Sequence, residues 1–145
     1  MPLRPVSEVI DPTHYVAVTT KASVRDAARL MKAHHTSAVL VIDNNEKLVG
    51  ICTERDVVFD IVAEGLDPDQ TQVRAVMTEH PQAIGPDKPL GHALHLMFEG
   101  GFRHLPVVDA GGRPIGILSS RDALGVDAVE FEHELVRREE ITVIL

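Results

Sequence analysis

The sequence predicts an α+β fold: two tandem β-α-β-β-α repeats packed with pseudo-twofold symmetry, followed by a C-terminal helix and strand tail. Three observations carry this prediction. "GICTERD" (residues 50–56) returns as "GILSSRD" (residues 116–122). The offset of 66 residues holds without a gap from Ala17 to Asp56. The order of hydrophobic patterns is the same in both copies, which is the signature of a duplicated supersecondary unit.

The offset pairs Ala27 with Ala93, Leu30 with Leu96, Met31 with Met97 and Val41 with Val107. It also pairs Asp43 with Asp109, Gly50 with Gly116, and Arg55-Asp56 with Arg121-Asp122. A lead-in recurs too: "VSEVID" (6–11) resembles "VRAVMT" (73–78) with a one-residue slip. The first repeat with its lead-in is drawn as residues 1–67, the second as 73–125, and the tail as 126–145.

Each copy opens with a short strand, near Tyr15 to Val18 and near Gln82 to Ile84. A helix follows. In the first copy Ser23 suits the N-cap, with Asp26 three residues on, and Val24, Ala27, Ala28 and Met31 have helical spacing. In the second copy Asp87 is the expected cap, Pro89 the first turn, and Gly100-Gly101 the stop. Two hairpins come next: "SAVLVID" through "NNEK" into "LVGICT", and "RHLPVVD" through "AGGR" into "PIGILS". A last helix begins near Thr53 and near Ser119. Gly65 ends the first of these, and "LDPDQTQ" (66–72) is the linker. A small sheet covered on one face leaves surface bare, so the two halves are expected to pack together.

Composition narrows the function. Of the 145 residues 44% are hydrophobic and only 3% aromatic, with no Trp, so the core is aliphatic. The net charge of −8 argues against a nucleic-acid module, which needs a basic stripe. Cys52 is the one cysteine, which excludes an intrachain disulfide and a Cys-rich zinc site. The start "MPLRPVSEVIDP" has no signal-peptide core, and the longest clean apolar run, "AVLVI" (38–42), is too short to span a bilayer. A soluble cytoplasmic protein without membrane contact is the expectation.

The repeated phrase supports two readings. Thr53-x-x-Asp56 and Ser119-x-x-Asp122 match the start of a helix, where a hydroxyl caps and an Asp favours the positive dipole end. The same geometry suits a nucleotide. A hydroxyl at a strand end reaches sugar or phosphate oxygens, a carboxylate one turn in accepts both hydrogens of a ribose cis-diol, and Arg55 and Arg121 bring positive charge to the rim.

The strand, helix, "PVVD", "GI" and hydroxyl-x-x-Asp pattern resembles CBS domains, the modules named after cystathionine β-synthase, here as a tandem pair from about Val6 to Leu124. "FRHLPVVD" (102–109) with "GILSSRD" is the best match; "TSAVLVID" in the first copy lacks the Arg, the His and the Pro. The resemblance implies a regulatory sensor of adenine-containing ligands (AMP, ADP, ATP or S-adenosylmethionine) with two clefts between the halves. It implies that Asp56 with Thr53, and Asp122 with Ser119, hold sugar and phosphate. It maps the backbone that meets the base to Ser37, Ala38 and Val39 with Val18 and Thr19, and to His104, Leu105 and Pro106 with Ile84 and Gly85. Arg103 and His104 match the basic residues that face phosphates, and Ser37 and Ala38 do not, so unequal sites are expected. It also implies a homodimer and an output passed to an unidentified protein effector, with no cofactor required.

Other features carry less. His92 and His95 lie three apart on a predicted helix, but no Cys or carboxylate set completes a metal site. No activated nucleophile, Walker loop or dinucleotide fingerprint is present, so no catalytic residue is expected. Cys52 is expected to pack. The tail "VDAVEFEHELVRREEITVIL" reads as an amphipathic helix to about Glu140, then an apolar end. The alternatives are a structural or interaction protein with vestigial clefts and, last, a small nucleotide-processing enzyme.

Overall fold

The computed structural model describes residues 3–123, together with Gly125 and Arg137. The expected tail helix and strand over residues 126–145 lie outside the described residues, apart from Arg137.

The first half contains β1 (Ala17–Thr19), α1 (Val24–His34), β2 (Ala38–Ile42), β3 (Leu48–Thr53) and α2 (Glu54–Asp56). A π-helical stretch, Val57–Val62, continues α2 as one helical run. The second half contains β4 (Thr78–Glu79), α3 (Leu90–Gly100), β5 (His104–Val108) and β6 (Pro114–Ser119). Helix resumes at Ser120 and runs through Ala123.

α1 crosses over between β1 and β2, so these strands pair in parallel, with Val18 opposite Val41. β2 and β3 form an antiparallel hairpin. Its turn is fixed by Asp43, whose Oδ1 accepts from the Asn45 and Lys47 N–H groups at 2.8 and 3.0 Å. Asp109 does the same for Gly111 and Arg113 in the β5–β6 hairpin, at 2.9 and 3.0 Å. The equal spacing of the two Asp residues therefore has a cause in turn chemistry.

The second half departs from the expected strand at Gln82 to Ile84. There a single parallel bridge, Ile84 to Val107, replaces the ladder of β1. In the first half Leu40 N–H donates to Val16 O. The counterpart of Leu40 is Pro106, and Pro86 follows on the other side of the bridge; proline offers no N–H to lengthen the ladder.

The lead-ins cross over. Val6 N–H donates to Lys88 O (2.9 Å), and Arg4 O accepts from Leu90 N–H (2.7 Å). In the other half Val73 N–H donates to Ala22 O (2.7 Å), and Thr71 O accepts from Val24 N–H (2.9 Å). Each lead-in thus joins the first helix of the other repeat. β4, just after the second lead-in, adds to β3 as the fourth strand of the first half's sheet. This exchange also corrects the cap of α3. Pro89, not Asp87, is the N-cap, and no side chain caps it. The Arg4 carbonyl serves one of the free N–H groups that a capping side chain would otherwise satisfy. α1 has the expected cap, with Ser23 Oγ accepting from Asp26 N–H at 3.0 Å.

Alternation along the strands divides the core in three. Val39 and Val41 face α1, in a cluster with Val24, Ala27, Met31 and Val73. Leu105, Val107 and Leu118 face α3, in a cluster with Val6, Leu90, Ala93 and Met97. Ala38, Leu40, Ile51 and Ile117 form the seam between the halves. Full burial of each Leu at positions 40, 105 and 118 contributes roughly 1.5–3 kcal/mol. Cys52 packs in the first cluster; burial first, then Asp56 and Asp60, pushes its thiol up to about 12, so it is not a nucleophile.

Candidate functional site

Two clefts open beside the seam, and each draws on both repeats. The larger is about 960 Å3 and the smaller about 420 Å3. Ser119 and Asp122 line the larger, together with Thr36 and Ser37 of the other repeat. Thr53 and Asp56 line the smaller, together with Phe102 and Arg103 of the other repeat. The offset of 66 relates Thr53 to Ser119, Asp56 to Asp122, Thr36 to Phe102 and Ser37 to Arg103. The clefts are therefore pseudo-symmetric copies, and the repeated phrase of one half meets the β2 or β5 approach of the other.

The chain reaches each cleft by the same local route. Ser37 O accepts from Glu54 N–H (3.0 Å), and Arg103 O accepts from Ser120 N–H (2.9 Å). These bonds dock the start of each last helix on the residue just before the strand of the hairpin. The hydroxyls then cap: Thr53 Oγ1 accepts from Asp56 N–H at 3.4 Å, and Ser119 Oγ accepts from Asp122 N–H at 3.0 Å.

The two carboxylates differ. Asp56 Oδ2 accepts from Thr53 N–H at 2.8 Å and from Thr53 Oγ1 at 3.2 Å, completing a capping box. Among the described residues Asp122 makes no reciprocal bond of this kind, and it is exposed. One carboxylate is engaged in its own helix; among the described residues the other is not.

Glu54, Arg103 and His104 line both clefts. His104 Nε2 lies 2.7 Å from Ser37 Oγ, bridging the halves. Burial first, then the Arg103 cation, lowers its pKa below 6.5, against the pull of Glu54 and Asp122. The fold thus favours the neutral ring of His104.

Nine of the expected site residues line a cleft: Ser37, Arg103, Ser119, Arg121 and Asp122 the larger, Thr53, Arg55 and Asp56 the smaller, and His104 both, as Arg103 also does. Eight line neither. Val18, Ala38, Val39, Ile84, Leu105 and Pro106 are buried in the core, while Thr19 is the last residue of β1 and Gly85 follows the Ile84 bridge. The segments before the first strand also border the clefts: His14 the larger and His80, Pro81 and Gln82 the smaller. His14 and His80 are themselves 66 residues apart, a signal that extending the repeat upstream of Ala17 reveals. Among the described residues no group of three His, Cys, Asp or Glu side chains is placed to hold a metal ion; His95 faces Glu99 at 3.6 Å.

The CBS domain model matches the chain twice, at residues 6–63 and 73–128. The CBS domain-containing protein CBSCBSPB1 of Arabidopsis thaliana is 36% identical over 126 residues, which cover 87% of this chain and 22% of that protein. The chain thus spans about a fifth of that relative's length. Two solved structures share the architecture. The CBS domain protein NE2398 is 34% identical with a TM-score of 0.77, covering 87% of this chain and 98% of that one. CBSX2 in complex with AMP is 28% identical with a TM-score of 0.73, covering 88% and 98%. With both repeats matched, both hydroxyl-x-x-Asp motifs at strand ends and the fold shared, the chain belongs to the CBS domain family as a tandem pair.

Proposed function

We propose that the protein is a regulatory sensor of adenine nucleotides or related adenosyl ligands that works as a homodimer and signals through a partner polypeptide. One observation carries the reading: two pseudo-symmetric clefts, each with a capped hydroxyl-x-x-Asp at a strand end, meet at Arg103 and His104. Carboxylate for ribose, hydroxyl for sugar or phosphate, and cation for phosphate are the groups a nucleotide requires. The AMP complex of the related CBSX2 supports this ligand class. A ligand that touches both halves changes their relative arrangement to the extent that it favours one arrangement over another.

The homodimer has support in the helical run after β3. Val58, Phe59 and Val62 are exposed there, and Leu66 just beyond its end, at 51, 55, 70 and 48%. Large exposed apolar side chains gathered in one short segment are suited to association, and a second copy offers the same segment. Light scattering of the protein should give twice the chain mass, and Val62→Asp should give a monomer.

The reading as an interaction protein with vestigial clefts has one observation of its own, the closed capping box of Asp56. Titration calorimetry with AMP, ADP, ATP, NAD and S-adenosylmethionine separates the two. Heat with an adenosyl ligand, lost on Asp122→Ala, supports the sensor. No heat, with unchanged melting temperatures, supports the interaction protein. Turnover of any of these ligands would bring back an enzymatic reading.

A further inference from the structure

This inference rests on the reading that the clefts take adenine nucleotides. We propose that the larger cleft selects a nucleotide with an extended phosphate tail, and that Lys32 sets that selectivity.

The clefts descend from one duplicated plan, so their differences isolate what each is suited to hold. Volumes of about 960 and 420 Å3 both lie within the range of ligand pockets, roughly 300–1,000 Å3. Size admits a nucleotide to either and leaves room for a longer tail in one.

Charge separates them further. The larger cleft has three fixed cations, Lys32, Arg103 and Arg121, against two carboxylates, Glu54 and Asp122. The smaller has Arg55 and Arg103 against Glu54 and Asp56. The Arg55 guanidinium also lies 5.2 Å from the centroid of the Phe59 ring, a cation–π contact that holds it along its own helix. A terminal phosphate brings about −1.5 to −2 charges, and each further phosphate adds to that. The cleft with surplus cations is suited to the longer tail.

Lys32 is where the duplication diverges. It sits in the last turn of α1 and lines the larger cleft. Its counterpart, 66 residues on, is Phe98, which is 88% exposed and lines neither cleft. A cation at this position exists for one cleft only. Because α1 and the Ser119-Asp122 phrase belong to different halves, a nucleotide with its ribose on Asp122 and its tail on Lys32 would tie the halves together.

The test is calorimetric titration of the full chain with AMP and with ATP, without magnesium, for the unaltered protein, Lys32→Ala and Lys32→Arg. Lys32 is exposed, so melting temperatures should match. The expected result is tighter binding of ATP than AMP. Lys32→Ala should weaken ATP by about tenfold, the scale of one lost charge-assisted bond, and AMP by less than about twofold on the same scale. Lys32→Arg should restore ATP. Equal losses for both nucleotides, no loss for either, or an initial preference for AMP would overturn the role of Lys32 while leaving the sensor reading in place. Absence of binding by both would overturn this inference, and the sensor reading would fall with it only if ADP, NAD and S-adenosylmethionine also gave no heat.

Discussion

Ser37 Oγ and His104 Nε2 meet at 2.7 Å across the seam between the two repeats. The contact joins the residue before β2 to the first residue of β5. It sits where both clefts share a wall, so whatever changes the charge of His104 is felt by both halves.

That relationship sets a pH dependence. The folded protein holds His104 below its ordinary value of 6.5, through burial first and then Arg103, with Glu54 and Asp122 opposing. The fold therefore favours the neutral ring. The stabilisation is fully present above the unfolded pKa and is lost as pH falls below about 6.5 towards the folded value. Denaturant melts from pH 8 to pH 5.5 should show the unaltered protein losing stability relative to His104→Gln across the acid half of that range. Parallel profiles would exclude His104 as the source.

The two motif carboxylates should respond differently to truncation. Asp56 holds Thr53 N–H and Oγ1 in a capping box. Asp56→Ala is expected to destabilise by about 1 kcal/mol, the usual scale of a lost cap. In Asp122→Ala the backbone bond from residue 122 to Ser119 Oγ survives. Its melting temperature should stay close to that of the unaltered protein, while ligand heat in the larger cleft disappears. A stability loss in Asp122→Ala equal to that in Asp56→Ala would mean both residues only cap.

How much of this was legible in the sequence depends on where the information lay. The motif residues were, because the 66-residue offset marks Thr53 with Ser119 and Asp56 with Asp122 directly. The hairpins were, because Asp43 and Asp109 fix them locally. The pairing of each motif with the other repeat's Ser37 or Arg103 was not, since contact between halves leaves no trace in local pattern. Neither was the exchange of lead-ins. Asp87 looks like a cap in isolation, and only the arrival of Arg4 O at Leu90 N–H removes the need for one. At most of the expected base-contact positions the side chain does not line a cleft, and strand geometry gives the reason. Val39 and Leu105 point into the helix-facing core, as the period of two along a strand requires.

The exchanged lead-ins depend on two glycines. A Cβ at Gly116 would come within 2.8 Å of Ile10 Cδ1, and one at Gly50 would collide with the Met77 side chain. These are equivalent positions on β6 and β3, each crossed by the lead-in of the opposite pairing. Met is unbranched and yields more readily than Ile. Gly116→Ala should therefore cost about 1–3 kcal/mol, the range for overpacking, and Gly50→Ala less. Hydrogen exchange should show residues 6–10 losing protection in Gly116→Ala ahead of the rest of the chain. Uniform loss would indicate that the lead-in does not open separately.

Backbone strain distinguishes the repeats at two further matched positions. Glu46 has φ of 63° where Gly112 has 81°, and His35 has φ of 51° where Gly101 has 70°. A residue with a Cβ in this left-handed region carries a cost of roughly 1–2 kcal/mol, partly offset in a glycine variant by greater unfolded-state entropy, about 0.5–1 kcal/mol. Glu46→Gly and His35→Gly should each stabilise by up to about 1 kcal/mol, and Gly112→Ala should destabilise by about as much. Glu46 lies in the β2–β3 turn, outside both clefts, so its variant should bind ligand unchanged. His35 lines the larger cleft, so His35→Gly should gain stability and lose affinity together. A stabilised His35→Gly that binds as tightly as the unaltered protein would remove His35 from the ligand's surroundings and leave its left-handed backbone as a cost of ending α1 without a glycine.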